Sequence, residues 1–594
     1  MVGAKNQNDA SHEKMGYAWL VRALVCGWIV AISPIAQADH LDDIRNWRTG
    51  LPMVAHWNTG GHNPDWHVNQ VRNGGRVLPT IKYDILTQIT KDKVTGLYLG
   101  TPPAMSDANK TFIRDNKLPI CLRTDNTGSI AVQWPRVPKL IENVNQSAVP
   151  FAIMADGTID DRGVPDYFAD PAMWRQWGKL WGSSRYMKTI QDTFPDVPYF
   201  LFADNNEINQ KVVDYLANVF DARGRAVYDL YGNQTKRYKT DVSMSAMSIR
   251  FADYVKDHTV EEFQAEFYRR RIALYQELFG AFDSSLVQWQ GKMLTECYSG
   301  IASNGTGGDV SYTPYYSHNR AIFDGGGPPV YVKTDDTMDT WNHTGPSWFR
   351  FSQTIPAFEQ AERNNSSGKE FRELFLTISP TGATKGKTAG LHEVITPDLH
   401  SASIQWLLWS NKGVRIPFLI RYWTGNGETP STPVTDAYTK QDYFTAAVKA
   451  VNTICDNTTL REFWLNGEPV VTGKHPQDEI RQYQESTQFV YPLPEDPDTR
   501  WRLLNVDTNT PRSQWIIQPG TNNRGGYNSK LSIKVWSVAV KLDGRYLVYM
   551  WSPCALSGTC KFTIPDVGTF EVPVPSPQAY YLVERDQWKV KPTL

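Results

Sequence analysis

Eight short apolar segments alternate with helical stretches between residues 50 and 425, and this alternation constrains the fold more than any other feature of the chain. Most of the segments are continuous apolar runs, which are typical of parallel strands covered on both faces. Eight strand–helix units in series predict a (β/α)8 barrel, a closed parallel sheet inside a layer of helices. The predicted strands are residues 51–57, 76–84, 117–125, 198–204, 291–298, 328–336, 373–379 and 416–423.

The stretches between these segments include two clear helical patterns. The first is an apolar stripe at helical spacing, which predicts an amphipathic helix over residues 260–279. Its members are Val260, Phe263, Phe267, Leu274 and Leu278. The second helix is predicted over residues 401–413, directly before the eighth strand, with Gly413 as its C-cap.

The sequence pattern changes after residue 460. Five segments near the C-terminus alternate apolar and polar side chains with period two, and Gly, Pro and Asp-Gly turns separate them. They are residues 529–542, 544–551, 560–565, 568–574 and 578–584. This pattern predicts an antiparallel β-sandwich. We therefore divide the chain into a (β/α)8 barrel at residues 39–460 and a β-sandwich domain at residues 461–594.

The first 38 residues have the pattern of an export signal. Arg22 precedes an apolar stretch that ends near Ile35, and residues 36–38 fit the small-x-small rule for cleavage. The apolar run is too short to favour a membrane anchor. We interpret residues 1–38 as a signal peptide, with residues 1–14 as an upstream extension, and expect a secreted or periplasmic protein without a membrane association after cleavage.

Charge and aromatic content narrow the class of partner. The 594 residues carry a formal net charge of −1, and 12% of them are aromatic. A balanced charge is not that of a nucleic-acid-binding protein. Aromatic faces stack on flat apolar surfaces, including those of sugar rings. The composition therefore favours a polysaccharide or oligosaccharide partner, and it leaves the oligomeric state open.

Cysteine spacing gives a further expectation. Cys554 and Cys560 flank a short turn between two predicted strands, and this spacing predicts a disulfide in an exported protein. Cys121 and Cys297 fall inside predicted strands and are expected to be buried thiols. No spacing typical of a zinc site is present in the sequence.

The predicted strand ends carry the chemistry. In a (β/α)8 barrel, the active site lies at the C-terminal ends of the strands. Carboxylates, amides, imidazoles and aromatic rings occupy these positions here, and these groups bind sugar hydroxyls and flank a glycosidic bond. The predicted substrate-binding residues are His56, Trp57, Asn58, Arg123, Asp204, Asn206, Tyr298, Asp335 and Trp423.

The pair Asn206 and Glu207, placed just after the fourth predicted strand, resembles a motif of the clan A glycoside hydrolases, which are retaining (β/α)8 enzymes. The resemblance implies that Glu207 is the general acid/base. It also implies that Asn206 holds the hydroxyl next to the anomeric carbon. Trp423, at the end of the eighth strand, matches a tryptophan that is common in that clan. The expected function is an exported glycoside hydrolase that needs no metal or cofactor.

The chain departs from the clan pattern at the seventh strand, where the nucleophilic glutamate is expected. That strand ends in Ser379, without a carboxylate. Glu296 lies in an otherwise apolar fifth strand, and a buried carboxyl group needs a partner or a function. We rank Glu296 first as the second catalytic carboxylate and Glu393 second. Asp335 or Asp336 ranks third, and an inverting mechanism stays open.

Two other functions fit parts of the sequence. The missing glutamate on the seventh strand favours a noncatalytic carbohydrate-binding protein on a degenerate barrel. His56, His62 and His67 lie close to Asp65 in a predicted loop, and they favour a polysaccharide lyase or a metal-dependent hydrolase. Residues 155–166 are acidic but miss the spacing of a calcium-binding EF-hand loop.

Overall fold

The structure of the chain is a computed structural model. It describes residues 40–57, 65–83, 105–124, 169–183, 185–204, 260–297, 322–326, 329–333, 372–379, 396–423, 431, 433, 437–472, 502–508, 514–515, 535–552, 554–555, 558–585 and 589–593. Residues 40–594 belong to one compact unit. The predicted signal peptide and the acidic segment 155–166 lie outside the described residues.

The described helices are α1 (His40–Arg45), α2 (Asp65–Arg72), α3 (Asp107–Asp115), α4 (Pro171–Gly182), α5 (Arg185–Thr193), α6 (Val260–Ser284), α7 (Pro397–Asn411), α8 (Lys440–Asp456) and α9 (Thr458–Asn466). A short 3-10 helix spans Trp47–Thr49. None of these helices combines the length and apolar character needed to cross a membrane. Helix α9 continues six residues past the predicted domain boundary at residue 460.

Ten strands in the first part of the chain pair in parallel. They are β1 (Pro52–Trp57), β2 (Val77–Leu78), β3 (Thr80–Tyr83), β4 (Ile120–Thr124), β5 (Phe200–Asp204), β6 (Met293–Cys297), β7 (Gly325–Gly326), β8 (Pro329–Lys333), β9 (Arg372–Ser379) and β10 (Phe418–Trp423). They form two sheets, in the orders β2-β1-β10-β9-β8 and β3-β4-β5-β6-β7. Each of the eight predicted segments overlaps at least one of these strands, so the prediction of parallel strands is confirmed.

A proline divides the second predicted strand in two. Pro79 has no N–H to donate, so the ladder breaks there. On one side, β2 pairs with β1, and on the other side β3 pairs with β4. The carbonyl of Pro79 still accepts a hydrogen bond from the Cys121 N–H at 2.8 Å. One continuous stretch of backbone therefore belongs to both parallel sheets.

Helices α4 and α6 pack in close contact because α4 presents two glycines to α6. A Cβ atom on Gly178 would lie 2.2 Å from the carbonyl oxygen of Leu278, and one on Gly182 would lie 2.4 Å from that of Phe282. The predicted apolar stripe on α6 is buried at Leu274 and Leu278. The side chains of its three other members lie outside the described residues.

Helix α7 is buried on all sides. Every residue from Leu399 to Asn411 is buried, because α7 contacts α8 on one side and an antiparallel sheet on another. Thr396 caps its first turn by accepting a hydrogen bond from the Leu399 N–H at 3.2 Å. Its C-cap is Lys412, one residue before Gly413, so the predicted cap is displaced by one position.

The C-terminal strands are antiparallel, as predicted. They are β11 (Glu468–Pro469), β12 (Asn505–Asp507), β13 (Gln514–Trp515), β14 (Trp536–Leu542), β15 (Arg545–Trp551), β16 (Cys554–Ala555), β17 (Thr559–Ile564), β18 (Gly568–Pro573), β19 (Gln578–Glu584) and β20 (Lys589–Pro592). One sheet has the order β11-β14-β15-β19-β20 and another the order β12-β17-β18. Side chains of both sheets share one apolar core, which includes Val548 and Phe562.

The predicted disulfide between Cys554 and Cys560 is wrong. Cys560 is a free thiol in the core shared by the two antiparallel sheets, and burial raises its pKa to about 11. Cys554 lies in β16, which pairs with β13, so residues 554 and 560 do not belong to one hairpin. Cys121 is buried in β4, as predicted. The side chain of Cys297 lies outside the described residues.

Candidate functional site

The C-terminal ends of the parallel strands bring several predicted site residues to neighbouring positions. Trp57 and Trp423 end β1 and β10 and are register partners. Asp204 ends β5 and is the register partner of Cys297, the last residue of β6. His56, Arg123 and Glu296 each lie one residue before the end of their strand. Of this group, only Glu296 has a described side chain.

The remaining predicted residues lie outside the described residues, and their positions follow from the sequence alone. Asn58 directly follows the end of β1, and Tyr298 directly follows the end of β6. Glu207 comes three residues after the end of β5. The same limit applies to Asn206, Asp335, Asp336, Glu393 and His62. The roles of all these residues stay predictions.

Glu296 is fully buried and forms an ion pair with Arg421. The Glu296 carboxylate contacts the Arg421 guanidinium, and both side chains are 0% exposed. Sequence reasoning required a partner for a carboxylate in an apolar strand, but it did not identify Arg421. The only local signal is that Arg421 is a charged residue in the otherwise apolar segment of β10.

The two faces of β6 have different environments because successive side chains on a strand point to opposite faces. Glu296 is on the face that contacts Arg421. Thr295 is on the other face, where Asp324 accepts hydrogen bonds from its N–H at 2.7 Å and its hydroxyl at 2.9 Å. These two bonds fix the backbone of β6 one residue before Glu296, and they hold the carboxylate on its side of the strand.

On the side of β10 that faces helix α7, two uncharged polar groups are in contact. Tyr422 follows Arg421, and its hydroxyl lies 3.1 Å from Nε2 of His400 on α7. Burial lowers the pKa of His400 to about 3 and raises the pKa of Tyr422 well above its ordinary value. Both rings are therefore uncharged near neutral pH. This contact ties the end of β10, next to Trp423, to the helix behind it.

The interpretation of residues 56–67 as one metal-binding loop is wrong at its C-terminal end. Asp65 begins α2, and its carboxylate accepts hydrogen bonds from the Ser106 N–H at 3.0 Å and from Asn109 Nδ2 at 2.8 Å. It therefore fixes the start of α3. His67 is fully buried in α2, beside the ring of Phe444. The described residues contain no cluster of three or more His, Cys, Asp or Glu residues that would suit a metal ion.

A second buried carboxylate, which sequence reasoning missed, lies at the opposite ends of the strands. Asp43 in α1 accepts hydrogen bonds from Arg76 Nε at 2.7 Å and from Arg461 Nη2 at 2.6 Å. Arg76 immediately precedes β2, and it also contacts the carboxylate of Asp456 at 2.7 Å. The Asp43 cluster, which consists of these four residues, joins α1, β2, α8 and α9.

Comparisons with known proteins give only distant likenesses. No family model and no curated protein sequence matches the chain. A maltogenic α-amylase from Thermotoga neapolitana is 9% identical with a TM-score of 0.37, over 93% of this chain and 98% of that chain. An exo-carrageenase from Bacteroides ovatus is 9% identical with a TM-score of 0.40, over 91% of this chain and 82% of that chain. A β-galactosidase from Rahnella sp. R3 is 8% identical with a TM-score of 0.38, over 90% and 98%. All three TM-scores are below 0.5, so the proposals below rest on the residues of this chain.

Proposed function

We propose that the parallel strands form a (β/α)8 barrel. The support is the order of the strands in the two parallel sheets, β2-β1-β10-β9-β8 and β3-β4-β5-β6-β7. Joined at β2 and β3 and at β7 and β8, these two sheets give a closed ring of strands in chain order, in which β10 pairs with β1. The ring contains eight strands if β2 and β3 count as one interrupted strand and β7 and β8 count as another. Pro79 alone separates β2 from β3, and two residues separate β7 from β8. Eight parallel strands in cyclic order are the defining feature of this barrel.

We propose that the chain is a glycoside hydrolase in which Glu207 is the general acid/base. The observation that carries this proposal is the pairing of β5 with β6, where Ala203 is the register partner of Glu296. Adjacent strands lie roughly 5 Å apart. Asn206 and Glu207 follow the end of β5 by two and three residues in the sequence, and β5 is a direct neighbour of the strand that holds Glu296.

In the proposed reaction, the protonated carboxyl group of Glu207 donates its proton to the glycosidic oxygen as the bond to the anomeric carbon breaks. Glu296 acts as the second carboxylate. If the two carboxyl groups lie about 5–5.5 Å apart, Glu296 attacks the anomeric carbon, and water deprotonated by Glu207 then hydrolyses the glycosyl ester and frees Glu296. If they lie about 6.5–9.5 Å apart, Glu296 instead takes a proton from the water that attacks the anomeric carbon. Asn206, Trp57 and Trp423 are proposed to bind the sugar. The ion pair with Arg421 supports an ionised Glu296, as either role requires.

The test is hydrolysis of a panel of neutral and acidic polysaccharides, measured as release of new reducing ends. We expect Glu207→Gln to reduce the rate by about 10²-fold or more, because an amide keeps the shape of the side chain but does not transfer a proton. Glu468→Gln is the matched control, since Glu468 is exposed in β11. A Glu207→Gln variant with wild-type activity would remove Glu207 from the mechanism.

A second candidate function is noncatalytic carbohydrate binding on the same barrel. The complete burial of Glu296 favours it, because a nucleophile must reach its substrate. Under this alternative, the wild-type protein binds polysaccharides in a pull-down assay and releases no reducing ends from any of them. Hydrolysis of one member of the panel would exclude it.

We also propose that residues 1–38 direct export and are removed, which gives a secreted or periplasmic protein that begins at Asp39. The support is the sequence pattern alone. N-terminal sequencing of the protein from the extracytoplasmic fraction of an expressing bacterium should begin at or near Asp39. Recovery of the uncleaved chain from the cytoplasm only would contradict this proposal.

A further inference from the structure

We propose that Arg421 is a positioning residue that keeps Glu296 ionised and fixes its carboxylate just below the strand ends. The inference rests on the proposed function, because it gives Arg421 a role through the second catalytic carboxylate. It adds a residue that neither the sequence motif nor the strand-end rule identifies, since Arg421 lies two residues before the end of β10.

The contact between Glu296 and Arg421 connects two strands that are not neighbours. β6 pairs with β5 and β7, whereas β10 pairs with β1 and β9. The two side chains therefore meet across the space that the parallel strands enclose, rather than along a shared ladder. Both are completely buried, so water contributes little to holding either charge.

Small residues flank the ion pair in the register of the sheets. Glu296 has Ala203 and Gly325 as its register partners, and Arg421 has Ala55 as one of its own. These residues leave room for two long side chains in a layer that bulky apolar residues usually fill. Replacement of Glu296 and Arg421 by smaller side chains would therefore leave a cavity, because the small neighbouring residues cannot fill the space.

The nearby titratable positions indicate that Arg421 is the main described source of positive charge for Glu296. The register partners Ala203 and Gly325 do not titrate. Arg123 is one strand farther away, as the partner of Ala203. Two acidic positions neighbour Glu296: Asp204, the partner of Cys297, and Asp324, which accepts the hydrogen bonds of Thr295. A negative charge at either position opposes ionisation of Glu296. Phe375, the other partner of Arg421, carries no charge.

A buried carboxylate without a cation takes up a proton, because burial disfavours the charged form. A protonated Glu296 can neither attack an anomeric carbon nor accept a proton from water. Arg421 would therefore act on the reaction without touching the substrate. Its loss should change the pH at which the enzyme works, whereas loss of a purely structural ion pair should reduce activity equally at every pH.

The experiment compares Arg421→Met and Arg421→Lys with the wild-type protein. For Arg421→Met, we expect the acidic limb of the kcat/KM profile to move up by about one pH unit or more, which is at least a tenfold loss below that limb. Arg421→Lys keeps the charge, so its profile should stay near that of the wild type, with a lower kcat and an unchanged KM. Arg461→Met is the matched control, because Arg461 pairs with the buried Asp43. It should lower Tm and leave the pH profile unchanged.

A second readout does not depend on hydrolysis. At neutral pH, infrared spectra of Arg421→Met should show a protonated-carboxyl band in addition to that of Glu207. This extra band should be absent from the wild type and from the double variant Arg421→Met/Glu296→Gln. If this band appears but the wild type cleaves no glycan, the proposed hydrolase function fails while the assignment of Arg421 stands. An equal loss of activity at every pH, or the absence of the band, would overturn the assignment. If Arg421→Met does not fold, Arg421→Lys decides the question, because unchanged kcat and KM would then exclude a positioning role.

Discussion

The two buried carboxylates Asp43 and Glu296 are both paired with arginine, but the number of arginines and the exposure of the pairs differ. Asp43 uses both of its oxygens and two arginines, with hydrogen bonds of 2.6–2.8 Å to Arg76 and Arg461. Arg461 is partly exposed, so this cluster reaches water. Glu296 contacts Arg421, and neither side chain has any exposure. The Asp43 cluster thus reaches solvent, whereas the ion pair of Glu296 and Arg421 is fully buried.

Their positions along the strands also differ. The Asp43 cluster contains Arg76, which lies at the N-terminal end of the second strand segment. Glu296 lies one residue from the C-terminal end of β6. In a (β/α)8 barrel, the C-terminal ends of the strands carry catalysis and the N-terminal ends carry stability. The comparison therefore predicts that removal of Asp43 affects folding alone, and that removal of Glu296 affects activity even where stability is restored.

The largest effect on stability is expected from Asp43→Asn. This change leaves two arginines without their shared carboxylate, and removal of one partner from a buried ion pair costs about 3–5 kcal/mol. Urea unfolding of this variant is compared with that of Asp42→Asn, an exposed neighbour paired with Arg45, which should lose less than about 1 kcal/mol. A large loss of activity per folded molecule in Asp43→Asn would contradict the prediction that the N-terminal ends of the strands contribute to stability alone.

A pair of variants at Glu296 separates stability from activity. Glu296→Gln should lose about 3 kcal/mol, because Arg421 stays buried without a counter-charge. The double variant with Arg421→Met should recover most of that loss, since neutral replacement of a whole buried pair is often close to neutral in stability. Activity should stay at least about 10²-fold below that of the wild type in both. Recovered activity in the double variant would show that Glu296 is only structural.

His400 extends the comparison to a buried group whose described ring contacts, with Tyr422 and Tyr443, are uncharged. Its folded pKa is about 3, and its unfolded pKa is about 6.5. The unfolded chain therefore binds more protons between these values, so stability should fall as the pH falls from about 6.5 to about 3, by up to about 1.4 kcal/mol per pH unit. In His400→Gln this contribution should be absent. An unchanged slope of unfolding free energy against pH would show that His400 is not the source.

The smallest effect is expected from Glu266, a partly exposed carboxylate that also binds two arginines. Glu266 on α6 binds Arg269 and Arg270 at 2.6 Å, and these hydrogen bonds lower its pKa to about 2. Because the unfolded value is about 4.3, the stabilisation is present above that pH and disappears as the pH falls to about 2. Glu266→Gln should cost about 1 kcal/mol or less at pH 7, and the cost should decrease towards zero as the pH falls through about 2. High salt should reduce the difference, and an effect as large as that of Asp43→Asn would contradict the role assigned to burial.

The strands were predictable because their signal is local. Parallel strands covered on both faces need apolar runs, and such runs are visible at 51–57, 198–204 and 416–423 without knowledge of any contact. The division of the second strand at Pro79 follows from the missing N–H, although the sequence alone suggested one uninterrupted strand. Period-two alternation likewise identified β14, β15, β17, β18 and β19, whereas the shorter strands β11, β12, β13, β16 and β20 were missed.

Contacts between distant residues were not predictable. Glu296 and Arg421 are far apart in the chain, and 418 positions separate Asp43 from Arg461, so no spacing rule connects either pair. The disulfide prediction failed for a related reason. It assumed that Cys554 and Cys560 share a hairpin, but β16 pairs with β13. Sequence spacing showed which groups needed partners, while the fold determined which partners they found.

The burial of α7 has a consequence for the synthesis of the chain. Its indole groups are covered by residues made much later: Trp409 Nε1 donates a hydrogen bond to the hydroxyl of Tyr580, 171 positions downstream. Tyr549 likewise donates to the carbonyl of Ala402 at 2.6 Å. At 5–20 residues per second, the ribosome needs roughly 10–30 s to make that interval. During this time the apolar helix α7 is exposed on the nascent chain. We therefore expect chaperones to bind this helix until the C-terminal strands have left the ribosome.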